Sequence, residues 1–260
     1  MNPQNLDKIR KSFETQAPNF ESTLLQFSKE DYLLKTISLI KPQQQDTVLE
    51  TAAGTCICGR SLAPLVHSVV CLDATPAMLQ IGKKAAEENN LKNMTFIKGF
   101  SEDLPFLENS FDIVLSRLSF HHFTDVETSF KEMLRVLKPG GKLIVIDMGA
   151  TVKELRKIQD EIETLRDPSH VKNLSTEEIQ SLFEKYRLEL KEKDITEIPQ
   201  NLQNWMKLTK TPETTQQQII QRMKNELNGG LKTGFFPYIK DEQIYFNQRW
   251  VFISGKKSLI

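Results

Sequence analysis

The stretch Thr47-Val-Leu-Glu-Thr-Ala-Ala-Gly-Thr-Cys56 decides the fold, because it joins a short apolar run to a turn of small residues. In a doubly wound α/β sheet, such a turn follows the carboxyl end of a strand and lets backbone N–H groups approach a ligand. Gly54 suits this turn because glycine tolerates a positive φ and has no side chain to block a ligand. An ordinary βα turn has the same composition, so this stretch alone leaves both interpretations open.

The residues around this stretch repeat its pattern. From 47 to 147, short apolar runs alternate with longer amphipathic stretches, which is typical of βα units around a parallel sheet. The apolar runs are rich in Val, Ile, Leu and Phe, as are strands buried on both faces. The pattern predicts strands at 47–51, 68–73, 94–99, 111–117 and 142–148, and helices at 75–89 and 125–137.

The segments on either side of residues 47–147 do not continue this regular βα pattern. Before the sheet, 4–15 and 28–40 are predicted helices that could lie across its open edge. After it, the sequence predicts helices at 151–165, 175–186, 200–208 and 213–227, strands at 187–196 and 243–256, and a loop rich in Gly and aromatics at 229–238. We therefore divide the chain into 1–150, the N-terminal helices and ligand-binding core, and 151–260, a cap with the last two strands.

The charge of the chain is balanced, with 34 Lys and Arg against 34 Asp and Glu in 260 residues. Zero net charge gives no general attraction to a phosphate backbone or an anionic lipid surface, so nucleic acid is not an expected partner. No apolar stretch approaches the ~20 residues that span a bilayer, and the first residues contain no apolar run typical of a signal peptide. We expect a soluble cytoplasmic protein without membrane insertion.

The three cysteines, Cys56, Cys58 and Cys71, lie close together in the sequence. An odd number at this spacing is not a disulfide framework for a chain of this length. His67 is the only further ligand candidate nearby, which is too few for a metal site. The sequence predicts buried free thiols, no metal and a reducing compartment.

Polar or small residues follow each of the first four predicted strands. Asp73 ends the second strand about twenty residues after the first turn, where an acid can accept two hydrogen bonds from a ribose diol. The third strand is followed by Phe-Ser-Glu-Asp-Leu-Pro-Phe at 100–106, and the fourth ends in Ser-Arg-Leu-Ser-Phe-His-His-Phe at 116–123. Four such strand ends in register indicate a ligand-binding edge of the sheet far more specifically than any one of them alone.

With these segments, the chain resembles the class I S-adenosylmethionine-dependent methyltransferases, and is most similar to the small-molecule branch that includes the ubiquinone/menaquinone-biosynthesis enzymes. The resemblance rests on VLETAAGT (48–55), LDATPAMLQIGKKAA (72–86), GFSEDLPFLENSFDIVLSRLSFHHF (99–123) and FKEMLRVLKPGGKLIVIDM (130–148). It implies a Rossmann-like doubly wound sheet of seven strands, the last antiparallel, with N-terminal helices and a C-terminal helical cap. It also implies S-adenosyl-L-methionine as cofactor and S-adenosyl-L-homocysteine as product.

The resemblance also assigns cofactor-binding residues. Glu50, Ala52 and Gly54 would line the methionine end of the cofactor, and Asp73 would bind the ribose hydroxyls. The remaining cofactor contacts that it implies are Ala74 and Met78 near the adenine, Ser101, Glu102 and Leu104 at its rim, and Ser116 on the fourth strand.

The sequence departs from the family pattern at two places. The usual glycine-rich turn reads D-x-G-x-G-x-G, whereas here Glu50 replaces the aspartate, Ala52 the first glycine and Cys56 the last. The family usually has an acid two residues before the position of Glu102, whereas this chain has Phe100 there. Reduced cofactor affinity, or a binding protein that has lost transferase activity, is therefore an alternative to be tested.

Candidate residues for chemistry and acceptor binding lie after the fourth strand and in the cap. His121 and His122 follow the fourth strand, and the ordinary pKa of histidine, about 6.5, makes either a credible base. Paired histidines can also simply cap a helix or hold a loop. The candidate acceptor contacts are Phe20 in the N-terminal motif, Arg166 and His170 in Arg-Asp-Pro-Ser-His, and the aromatic residues Trp205 and Phe236, which could equally be cap core.

The predicted reaction is in-line methyl transfer to a small molecule in a lidded pocket. The fourth strand lacks the Asn/Asp-Pro-Pro-aromatic sequence of enzymes that methylate amino groups of DNA and proteins, which, with zero net charge, favours a small-molecule acceptor. A nicotinamide oxidoreductase is a weaker alternative, because the first turn lacks G-x-G-x-x-G.

Overall fold

The computed structural model describes residues 3–21 and 29–259. The helices are α1 (Pro3–Gln16), α2 (Glu30–Ile40), α3 (Ile57–Leu62), α4 (Pro76–Glu88), α5 (Val126–Val136), α6 (Arg156–Arg166), α7 (Thr176–Lys185), α8 (Leu202–Leu208) and α9 (Glu213–Leu227). The strands are β1 (Thr47–Thr51), β2 (Ser68–Asp73), β3 (Met94–Lys98), β4 (Phe111–Arg117), β5 (Leu137–Met148), β6 (Glu189–Asn201), β7 (Tyr238–Lys240) and β8 (Gln243–Lys256). The first residue of the helix predicted at 28–40 lies outside the described residues.

The strands form one twisted sheet in the order β3-β2-β1-β4-β5-β8-β6. Strands β1 to β5 run parallel, whereas β8 is antiparallel to both β5 and β6. The predicted Rossmann-like α/β fold with an antiparallel last strand is therefore confirmed. The three-residue β7 pairs with β8 beside this seven-strand path, within the part of the chain that the structure describes.

Side chains alternate between the two faces of the sheet, so neighbouring residues of one strand enter different cores. Leu49 packs in a cluster with Phe130 of α5 and Phe183 of α7. Val48, the preceding residue, packs with Ile40 of α2 in the cluster on the other face. Helices on both faces explain why the strands are apolar throughout.

The N-terminal helices do not lie across the open edge of the sheet, so that prediction is wrong. Ile40 of α2 is buried in the core of one face, where it can cover apolar strand residues. Leu6, Ile9 and Phe13 of α1 instead face a cavity at the carboxyl ends of the strands. The predicted edge placement overlooked that each helix has an apolar side to bury against the sheet or against its ends.

Within residues 151–260, helices α6, α8 and α9 pack around a second, smaller core. We term this part of the chain the cap. Ile162, Trp205 and Ile219 pack there with Phe235 and Phe246. The Asn201 side chain accepts a hydrogen bond from the N–H of Asn204 and caps α8, so β6 passes directly into the cap. None of the helices in the described part of the chain has the length and apolar character needed to cross a lipid bilayer.

Two strands differ from their predicted bounds by several residues, and β3 ends one residue earlier than predicted, at Lys98. Strand β5 begins at Leu137 rather than at 142, with an irregularity in its pairing to β4 between Phe111 and Ile113. Strand β6 extends to Asn201, because its pairing with β8 continues as far as Asn201 opposite Tyr245. Helix α7 begins with a capping box, in which Ser175 and Glu178 form reciprocal bonds.

Candidate active site

The carboxyl ends of the parallel strands open into a cavity of about 680 Å³, which we term the strand-end cavity. It lies where the chain order reverses between β1 and β4, the switch point at which α/β sheets bind ligands. Its walls comprise α1 residues Asn5, Leu6, Ile9 and Phe13, strand-end residues Ala52, Gly54, Asp73, Ala74, Thr75, Met78, Gly99, Phe100, Ser101 and Glu102, and loop residues Leu118, Ser119, His122, Phe123 and Thr124.

The turn after β1 is held open toward this cavity by Asp73. Oδ2 of Asp73 accepts the N–H of Gly54 at 2.8 Å, and Oδ1 accepts the N–H of Thr75 at 2.7 Å. Gly54 has φ +54°, and among the described residues a Cβ added to it would meet only the ring of Phe20, at 3.8 Å. Burial raises the pKa of Asp73, and the two backbone hydrogen bonds, which lower it, offset only part of this effect. Because a carboxylate can accept about four hydrogen bonds, Asp73 keeps acceptor capacity for a ligand.

Glu102 presents a carboxylate that the protein does not satisfy. Both of its oxygens are buried without a hydrogen-bond partner among the described residues. Burial raises the pKa of this carboxyl group. Beside it, the Ser101 hydroxyl is already bonded to that of Thr51 at 2.8 Å. An unsatisfied acid on a cavity wall is suited to a ligand that brings its own N–H or O–H donors.

Three predicted cofactor contacts lie away from the cavity wall. Glu50 accepts the N–H of Gly59 at 2.7 Å, and burial raises its pKa to about 7. Leu104 is a core residue of the α5 side of the sheet. Ser116 is fully buried and bonded to the Ser119 hydroxyl. Glu50 thus fixes the start of α3 beneath the turn, where a side chain at Gly59 would collide with its carboxylate.

Cys56, the largest departure in the turn, does not enter the cavity. It adopts φ +60° and is fully buried, with its Sγ 3.6 Å from the carbonyl of Gly54. A Cβ at Gly82 of α4 would lie 3.2 Å from this sulfur, which places the thiol between the turn and α4. Burial raises the pKa of Cys56, so the thiol is protonated and unreactive at neutral pH.

A second cavity, of about 570 Å³, adjoins the first and is termed the cap cavity. Phe13, Leu118 and His122 line both cavities and form their common wall. The other residues that line the cap cavity are Gln16, Phe20, His121, Met148, Arg166, Asp167, Gln200, Trp205, Leu208, Gln248 and Trp250.

Of the five candidate acceptor contacts, Phe20, Arg166 and Trp205 line the cap cavity. His170 lies behind its wall, with its ring 5.8 Å from that of His121 and its Nε2 2.9 Å from Asp160. Phe236 is 45% exposed and lines neither cavity.

The two adjacent histidines have different surroundings. Nδ1 of His121 lies 2.6 Å from Oδ1 of Asp147, and both residues are buried. Nδ1 of His122 lies 3.1 Å from the Ser169 hydroxyl. Burial, followed by the neighbouring His121, lowers the pKa of His122 to about 3, so this ring is neutral at physiological pH.

Sequence reasoning missed the contribution of α1, the buried acid Asp147 and the bonds by which Asp167 holds α1. Leu6, Ile9 and Phe13 recur at helical spacing, a signal for a buried face but not for what the face covers. Asp147 follows the apolar run of β5, where a charge inside a strand could have been noticed. Asp167 joins α1 to the end of α6, because it accepts bonds from Ser12, at 2.7 Å, and from Gln16, at 3.0 Å.

Known proteins resemble this chain along most of its length. The family model described as "Methyltransferase domain" matches residues 49–145. The uncharacterized protein YafE of Escherichia coli is 40% identical over 149 residues, which are 57% of this chain and 72% of that protein. A demethylmenaquinone methyltransferase of Listeria welshimeri is 32% identical over 148 residues, which are 54% of this chain and 62% of that protein.

The uncharacterized methyltransferase YcgJ of Bacillus subtilis extends the match into the cap. It is 30% identical over 200 residues, which are 76% of this chain and 79% of that protein. Its crystal structure superposes with a TM-score of 0.80 and 29% identity over 88% of this chain and 99% of that one. Together with the strand order and the strand-end cavity, these matches show that the chain belongs to the class I S-adenosylmethionine-dependent methyltransferases.

Proposed function

We propose that this chain transfers a methyl group from S-adenosyl-L-methionine to a small molecule, with the cofactor in the strand-end cavity and the acceptor in the cap cavity. The observation that carries this proposal is the common wall of Phe13, Leu118 and His122 between the two cavities. Because both cavities reach these three residues, a ligand in one cavity would lie next to a ligand in the other.

The residues of the strand-end cavity fit the cofactor. Asp73 has acceptor capacity for the ribose hydroxyls, and Glu102 has two unsatisfied oxygens for donors of the adenine end. Ala52 and Gly54 expose backbone near the methionine end, while Ala74 and Met78 supply apolar wall for the base. When bound, the cofactor supplies an electrophilic methyl group on a sulfonium ion.

The contribution of the protein is chiefly orientation and exclusion of water. In-line displacement needs the nucleophile, the methyl carbon and the sulfur to be collinear, and holding reactants in this geometry can remove much of the barrier. The apolar side chains of Phe13 and Leu118 keep water from the common wall. Because His122 is neutral, it brings no positive charge toward the sulfonium.

The cap supplies the lid in this proposal. Arg166 ends α6 and Trp205 lies on α8, so residues 151–260 contribute half of the side chains that line the cap cavity, while 1–150 hold the cofactor and contribute the other half. Zero net charge and a concave cap cavity lined by side chains favour a small-molecule acceptor over a nucleic acid. We therefore retain a cytoplasmic small-molecule methyltransferase as the proposed function, with no nucleic-acid partner.

Calorimetric titration with S-adenosyl-L-methionine and S-adenosyl-L-homocysteine tests the proposal, with NADH as a parallel titrant. We expect both sulfur compounds to bind one site per chain and NADH not to bind. Binding of NADH alone would overturn the proposal. Tight binding of the sulfur compounds without methyl transfer to any small molecule would instead favour the cofactor-binding protein without transferase activity.

A further inference from the structure

One histidine of the cap cavity is arranged to take a proton. A carboxylate can only accept hydrogen bonds, so Nδ1 of His121 must donate to that of Asp147 across their 2.6 Å contact. The neutral ring then carries its free lone pair on Nε2. Among the described residues nothing bonds to this Nε2, and His121 lines the cap cavity.

Asp147 is itself held rigidly. Its Oδ2 accepts the main-chain N–H of His121 at 2.8 Å, and its Oδ1 accepts that of Met148 at 2.7 Å. The carboxylate therefore orients the ring and can stabilise the positive charge that forms when Nε2 takes a proton. His122 lacks such a carboxylate contact and stays neutral, so the two histidines of the loop have separate roles.

Other charged groups surround this pair on every side of the cavity. The titratable and charged groups near His121 are Asp147 on β5, His122 on its own turn, His170 with Asp160 behind it, Arg166 and Asp167 at the end of α6, and Arg117 beneath Trp250.

The tryptophans of the cavity disfavour a cationic acceptor. The guanidinium of Arg166 lies 4.5 Å from the ring centroid of Trp205, and that of Arg117 lies 5.1 Å from the ring of Trp250. An ammonium ion binds such ring faces, but here guanidinium ions already occupy them. The Nε1–H of Trp205 is also buried without a hydrogen-bond partner among the described residues, and it can donate only to an acceptor atom such as oxygen.

We propose that His121 is the general base for a neutral planar acceptor with an acidic hydroxyl, a phenol or an enol, and that Asp147 is its positioning residue. This inference rests on the proposed function. As the bond between the acceptor oxygen and the methyl carbon forms, the bond from that carbon to sulfur breaks and its electron pair stays on sulfur. The hydroxyl proton passes to Nε2 of His121 and later to solvent. Such hydroxyls, with a pKa near 10, lie within reach of an imidazole base.

The first test is nitrogen-15 NMR of the histidines in the complex with S-adenosyl-L-homocysteine. The chain has four histidines, so replacing each by glutamine assigns them. We expect neutral His121 to carry hydrogen on Nδ1 and not on Nε2, and the Asp147→Asn variant to lose this preference. Hydrogen on Nε2 in the wild type, or an unchanged tautomer in Asp147→Asn, would overturn the role of the pair.

The second test follows labelled methyl from S-adenosyl-L-methionine to 1-naphthol, catechol and phenol, with 1-naphthylamine and aniline as matched amines. We expect methyl ethers from the hydroxyl compounds. His121→Ala and Asp147→Asn should each lower kcat about 100-fold, the typical scale of general-base catalysis, with KM and cofactor affinity unchanged. The double variant should be no slower than either single one, and the acidic limb of the kcat profile should disappear.

Asp160→Asn is the matched control, because Asp160 pairs with His170 outside both cavities. We expect it to retain kcat. Faster methylation of the amines, methyl transfer to carbon, or no transfer to any hydroxyl compound would overturn the proposed acceptor class. Failure to bind S-adenosyl-L-methionine would instead refute the proposed function, which separates the two conclusions.

Discussion

The strand-end cavity and the cap cavity share a wall but are built in different ways. The first is made largely of short consecutive segments at strand ends, and backbone N–H groups bonded to Asp73 set its shape. The second collects single side chains from α1, β5, α6, α8 and β8, including Phe13, Met148 and Trp250. Substitutions change side chains but leave backbone groups in place. A cavity framed by backbone can therefore keep its ligand while substitutions reshape a neighbouring cavity that is lined by side chains. If the two ligands bind as proposed, acceptor choice can therefore vary without loss of the cofactor site.

Trp205→Ala should separate the two cavities with the largest effect. The indole is 4% exposed, with its ring 5.6 Å from that of Phe235 and 5.2 Å from that of Phe246. Removing such a buried aromatic side chain should lower the free energy of unfolding by about 3–5 kcal/mol. Urea denaturation measures this loss, and calorimetry of the folded variant should give unchanged affinity for S-adenosyl-L-methionine.

Phe236→Ala is the control for this change. Phe236 belongs to the same segment as Phe235 but is 45% exposed, so its loss should alter the free energy of unfolding by less than about 0.5 kcal/mol. A large fall in cofactor affinity in Trp205→Ala would show that the cap is not independent of the strand-end cavity.

The free energy of unfolding should depend on pH in opposite directions through Glu50, beneath the turn after β1, and through His122, in the common wall. The pKa of Glu50 is raised from 4.5 to about 7, so the folded chain holds a proton that the unfolded chain releases. Its stabilising contribution is complete below pH 4.5 and is lost as the pH rises to 7, at a cost on the order of 3 kcal/mol.

His122 acts in the opposite direction. Its pKa is lowered from 6.5 to about 3, so its contribution is complete above pH 6.5 and is lost as the pH falls toward 3. In wild type the two trends oppose each other between pH 4.5 and 6.5. In Glu50→Gln, urea midpoints should therefore rise more steeply with pH in this window. Parallel curves for the two proteins would refute the raised pKa of Glu50.

The two cavities also differ in how far the sequence predicted them. The turn at Gly54 and the acid at Asp73 were predictable because each belongs to a short contiguous pattern at a strand end. The pair of His121 and Asp147 was not, because it depends on β4 and β5 lying side by side, which brings their carboxyl ends together. Glu50 shows the limit even within a motif, since its bond to Gly59 depends on where α3 begins.

Asp73→Ala should weaken binding of S-adenosyl-L-methionine by about 1–3 kcal/mol, because hydrogen bonds to a charged group are lost. The same change frees the N–H groups of Gly54 and Thr75, so part of the effect comes from a looser turn. Calorimetry measures the affinity, with Asp194→Ala, which removes a surface ion pair to Lys35, as the control. Unchanged affinity in Asp73→Ala would count against the proposed ribose contact.

Glu102→Gln is expected to have the smallest effect and separates ligand binding from protein structure most clearly. No protein group within the described ranges bonds to its carboxylate, so the change breaks no internal hydrogen bond and removes a buried charge. We expect stability at pH 7 to hold or increase slightly, because an unpaired buried charge is costly. Affinity for S-adenosyl-L-methionine should fall by about 1 kcal/mol, because a neutral amide is a weaker acceptor than a carboxylate. If affinity and stability fall together, the carboxylate serves the fold rather than the ligand.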